Sequence, residues 1–83
     1  MDTYIVKATL TTDPDYSMYY GGVTWAGFRQ RVALYASREN AEVLLAEDGY
    51  DAIQTVRQKM ADFCRDPDAF EYEANNVNVR ATN

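Results

Sequence analysis

The chain predicts an α+β fold: an antiparallel sheet of about four strands with one helix packed on one face, in the order β-β-β-α-β. Three observations carry this. Residues 3–10 and 28–36 alternate apolar and polar side chains with a period of two, as half-buried strands do. Residues 48–64 instead place Ile53, Val56, Met60 and Phe63 at steps of three and four, the spacing of an amphipathic helix. With one helix among short strands, an antiparallel sheet that buries one face against it is the economical solution. Eighty-three residues suffice for a single domain, 1–83, with a thin core.

The first strand is expected over Thr3 to Leu10. Tyr4, Val6, Ala8 and Leu10 share a face, Lys7 and Thr9 the other, and Ile5 breaks the alternation. Asp13-Pro14-Asp15 ends it, because proline fixes its own φ and restricts the residue before it. Residues 11–27 then read as a long loop of unusual composition: Tyr16, Met18, Tyr19, Tyr20 and Trp25 among Gly21, Gly22 and Gly27. Loops of this length are functional or disordered more often than inert, and interfaces enrich Tyr, Trp and Met. The second strand is expected over Phe28 to Ala36, with Phe28, Val32, Leu34 and Ala36 on one face. If it starts nearer Val23, Gly27 falls at a bulge. Ser37 to Asn40 reads as a turn.

Ala41 to Glu47 fits a strand, in which Val43 and Leu45 alternate with Glu42 and Leu44, and also a helix. A strand is preferred because Asp48-Gly49 breaks the chain and a better helix start follows. There Asp48 can cap, and Asp51 places a carboxylate in the first turn. The helix runs to about Cys64 and stops at Asp66-Pro67, with Cys64 packed on its apolar side. Phe70 to Arg80 is the last strand, with Phe70, Tyr72 and Ala74 on one face, Glu71 and Glu73 on the other, and Asn75-Asn76 as an interruption.

The charge is uneven. Residues 1–38 carry net +1, residues 39–73 carry −7 and residues 74–83 carry +1, for a total of −5. Such an acidic half repels phosphates and attracts basic partners, so no direct nucleic-acid binding is expected. No apolar run approaches the length of a membrane span, and the N-terminus has no signal-peptide pattern. With a single cysteine, a cytoplasmic location is expected, the host cytoplasm if the chain is phage-encoded.

Chemistry is poorly served. The chain has no histidine, the most frequent general base and a common zinc ligand. Gly21-Gly22 lacks the spacing and the lysine of a phosphate loop. Both Asp-Pro-Asp triplets, 13–15 and 66–68, are explained as turn signals, and neither continues into a calcium loop. Arg29, Arg31 and Arg38 with Tyr35 form a basic strip. It is either a stacking platform or a set of partners for acids on neighbouring strands, and the net charge favours the second.

These residues predict a small non-enzymatic protein-binding module, without cofactor or metal, and no membrane association. It would occupy a basic, nucleic-acid-binding surface of a larger protein or nucleoprotein complex. Small inhibitors made by phages and mobile elements, anti-CRISPR proteins among them, work this way. The expected contact residues are Tyr16, Met18, Tyr19, Tyr20, Trp25, Asp66, Asp68, Glu71 and Glu73, with Trp25 divided between contact and core. The alternative is a homo-oligomeric accessory protein, a homodimer for instance, that buries the aromatic loop in its own interface.

Overall fold

Alternating side chains along residues 2–10 build the strand on which the rest of the molecule hangs. The computed structural model describes residues 1–77. It contains β1 (Asp2–Leu10), β2 (Asp13–Ala26), β3 (Arg29–Tyr35), β4 (Leu44–Ala46), α1 (Gly49–Asp62) and β5 (Phe70–Asn76), with 3-10 turns at Arg38–Asn40 and Pro67–Ala69. All strand pairs are antiparallel. β5 runs along one edge of β1 from Tyr4 to Leu10. The other edge is shared, with β2 against Lys7–Leu10 and β4 against Asp2–Tyr4. β3 pairs only with β2, so β3 and β5 form opposite margins of the sheet.

One face of the sheet is covered by α1. Tyr4 and Val6 of β1 meet Ala52, Val56 and Met60 of the helix, and Tyr20, Val32 and Ala46 complete the cluster. Phe70, Tyr72 and Ala74 pack against it from β5. Burying each Val or Met side chain contributes about 1.5–3 kcal/mol.

The ends of α1 follow from local chemistry. Asp48 accepts from the Asp51 N–H at 2.8 Å, and the Asp51 carboxylate accepts in return from the Glu47 N–H at 3.1 Å. Two donors at the exposed helix start are thereby satisfied. At the other end the Arg65 N–H donates to the Met60 carbonyl at 2.8 Å, across a left-handed Cys64 with φ 70°. This is the Schellman closure, with cysteine where glycine is usual.

Four expectations are corrected. Residues 11–27 are not a loop: Asp13–Ala26 is the longest strand, and Asp13-Pro14-Asp15 begins it instead of ending β1. Pro14 is tolerated there because it lies beyond the stretch where β2 pairs continuously with β1. Cys64 is exposed beyond the helix, not packed in the core. In 41–47 the strand is real but short, and it turns Leu44 and Ala46 inward, leaving Val43 and Leu45 exposed. Asn75-Asn76 interrupts nothing: both pair with β1, and Val79 and Arg80 lie outside the described residues.

Candidate interaction surface

β2 and β3 form an arm. Past Tyr20 the two-against-one count of Gly21-Gly22 opposite Ala33 makes a bulge. Gly22 sits at φ +87°, and a side chain at Gly21 would run into the Tyr35 ring that covers it. The bulge was expected at Gly27; Gly27 instead forms the hairpin end with Phe28. Ala26 pairs with Arg29, and Gly27 adopts φ +68° as the first residue of the two-residue connection. Fourteen extended residues span about 45 Å, which matches the molecule's longest dimension of 45 Å. The arm therefore sets the long axis.

The arm is held from below. The Arg65 guanidinium donates through Nε to the Val32 carbonyl at 3.4 Å, and Arg29 donates to Cys64 Sγ at 3.4 Å. Its end is open: Trp25 is 66% exposed and Phe28 91%. Residues 16–38 hold no acid and three arginines; the remainder of the chain holds thirteen acids and five bases. The fold thus presents an aromatic, basic arm on a body of net charge −8.

The expected contact residues separate into three places. Trp25 stands at the arm end and is no part of the core. Tyr16 is exposed near the start of β2, and Met18 and Tyr19 are half-buried on opposite sides of the sheet, against Ala8 and Tyr35 respectively. Tyr20 is corrected: it is 3% exposed and belongs to the core, where burial pushes its hydroxyl pKa up and the charge of Glu42 adds to the shift. Asp66 and Asp68 hold the turn before β5. Asp66 accepts from the Asp68 N–H at 2.9 Å, and Asp68 pairs with Arg57 at 2.6 Å. Arg57 also lies 5.7 Å from the centre of the Tyr72 ring, whose hydroxyl donates to the Pro67 carbonyl at 2.8 Å. Glu71 and Glu73 are exposed on the face away from α1.

Arg29, Arg31 and Arg38 do not pair with acids as expected: Arg57–Asp68 is the one ion pair among the described residues. Arg31 Nε is buried without a partner there. Phe28, assigned inward as part of a strand, escaped notice as a contact residue. The signal was present in Trp25-Ala26-Gly27-Phe28, a two-residue glycine turn between alternating runs. No pocket opens among the described residues, so the candidate site is a surface. No family model, curated protein or solved structure matches the chain.

Proposed function

We propose that the chain is a small non-catalytic binding module that occupies a basic, nucleic-acid-binding surface of a larger protein. Inhibitors encoded by phages and mobile elements, anti-CRISPR proteins among them, act in this manner. The observation that carries the proposal is the arm end, where Trp25 and Phe28 stand exposed on a hydrogen-bonded hairpin. Exposed aromatics are among the residues that dominate binding energy at interfaces. The body of net charge −8 supplies long-range attraction to a basic partner.

Affinity capture from the source cell tests this with two baits, the native chain and W25A/F28A. A basic nucleic-acid-binding protein should be retained by the native bait, released as salt rises, and lost from the double variant. Each aromatic should contribute about 2 kcal/mol to binding, while thermal stability changes by less than about 0.5 kcal/mol because both side chains are exposed. Equal retention by both baits would remove the arm from the contact, and salt-independent retention would remove the acidic body.

A further inference from the structure

The two margins of the sheet are finished differently. On one side the edge of β3 is interrupted, because Arg65 donates through Nε to the Val32 carbonyl at 3.4 Å. On the other side β5 pairs only with β1. The register fixes which backbone groups of β5 are already engaged. The Thr11 N–H donates to the Ala69 carbonyl at 3.0 Å and the Val77 N–H to the Thr3 carbonyl at 2.9 Å, at the two ends of one unbroken register. Bonded and unbonded pairs alternate in an antiparallel ladder. Glu71, Glu73 and Asn75 therefore direct their N–H and C=O groups at β1, while those of Phe70, Tyr72 and Ala74 point away from it. Among the described residues no other backbone group meets these three. The side chains alternate as well. Phe70, Tyr72 and Ala74 pack toward the core under α1, and Glu71 and Glu73 stand exposed on the opposite face. Lys7 of β1 shares that face opposite Glu73, but Arg57–Asp68 is the one ion pair among the described residues. Two carboxylates against one ammonium leave this margin acidic.

We propose that the β5 edge receives an extended basic segment of another protein as an additional antiparallel strand. An unpaired edge supplies a row of backbone donors and acceptors suited to such addition. Antiparallel pairing is the slightly more stable arrangement. Residues directly opposite one another in a ladder share a face of the sheet. The incoming strand therefore sets basic side chains beside Glu71 and Glu73, and apolar ones beside Phe70, Tyr72 and Ala74, in alternation. The same glutamates disfavour a second copy of the chain. Pairing β5 with β5 about a two-fold centred on Tyr72 sets Glu71 opposite Glu73 twice, and like charges directly opposite are destabilising. Pairing β5 with β3 of another copy meets an edge whose Val32 carbonyl is already taken by Arg65. The inference stands apart from the arm's function, because β5 lies on the margin opposite β3 and none of the residues at the arm end takes part.

Amide-resolved NMR of the full chain tests it with a synthetic probe, a capped peptide of seven residues, the length of β5, alternating lysine and valine. At saturating peptide, hydrogen exchange should slow at least about tenfold at the N–H groups of Phe70, Tyr72 and Ala74. Glu71 and Glu73, already bonded to β1, should change less. A peptide alternating glutamate and valine should bind at least about tenfold more weakly, and E71K/E73K should reverse that preference. Methylating the valine nitrogens of the lysine peptide should abolish binding, because it removes the donors that face β5 and leaves every charge in place. No response at millimolar lysine peptide overturns the proposal. So does slowing at Glu71 and Glu73 in place of Phe70, Tyr72 and Ala74, or equal binding of the N-methylated peptide, since either makes the contact something other than strand addition. A native chain that takes the glutamate peptide as tightly, or an E71K/E73K chain that keeps the native preference, overturns the basic partner.

Discussion

Cys64 shows how a single residue carries a cost that its neighbours tolerate. Its φ of 70° closes α1, and a side chain in the left-handed region costs about 1 kcal/mol that glycine does not. Cys64→Gly should therefore stabilise the fold by about 1 kcal/mol, a rise of about 4–8 °C in Tm for a domain of this size. The contact of Arg29 with Sγ at 3.4 Å is exposed and subtracts little. Cys64→Ala removes the thiol but keeps the strained conformation, so calorimetry should show no comparable gain. Alternation and turn signals do not reveal this position, because a cysteine at the end of an apolar helical stripe looks like core. Only the path of the chain after Phe63 turns it outward.

Two elements illustrate what local sequence can and cannot specify. The start of α1 is written in Asp48 and Asp51, which satisfy backbone donors within the five residues from Glu47 to Asp51. Asp48→Ala should cost about 1 kcal/mol in chemical denaturation, with Asp48→Asn keeping most of the stability because it retains the acceptor. β2 is the opposite case. Its Tyr, Met and Trp content was legible, but two adjacent glycines and a proline look like loop material. They are strand residues because β1 pairs with the first part of β2, from Asp13 to Tyr19, and β3 with the second, from Tyr19 to Ala26, with Gly21-Gly22 absorbed as the bulge where the Tyr35 ring needs space. β4 was legible as a strand and misread in its facing. A three-residue strand has too short a pattern to choose between Val43 and Leu45 or Leu44 and Ala46 for the interior.

At the scale of the whole molecule, the thin core makes buried tyrosines a measurable part of stability. Burial raises the pKa of Tyr20 and Tyr72 above the ordinary 10.0, partly opposed at Tyr72 by Arg57. Below that value both the folded and unfolded chains keep these protons, and the contribution is fully present. Above it the unfolded chain ionises first, so stability falls as pH rises through the folded values. Urea midpoints should therefore decline above about pH 10. Tyr72→Phe should start about 1 kcal/mol lower, having lost the bond to Pro67, and decline less steeply.

By itself the sequence determined the class of fold, the helix and its start, the inward face of β5, and an aromatic region in an otherwise acidic chain. Periodicity and capping are local, so they survive without knowledge of neighbours. The tertiary structure decided which aromatics are available. Tyr20 and Trp25 are five residues apart in the same strand. Tyr20 lies in the core cluster with Ala52, Val56 and Met60 of α1, and Trp25 lies beyond it, 66% exposed. It also decided that β3 and β5 form opposite margins of one sheet, a relation that exists only once β1 and β2 stand between them.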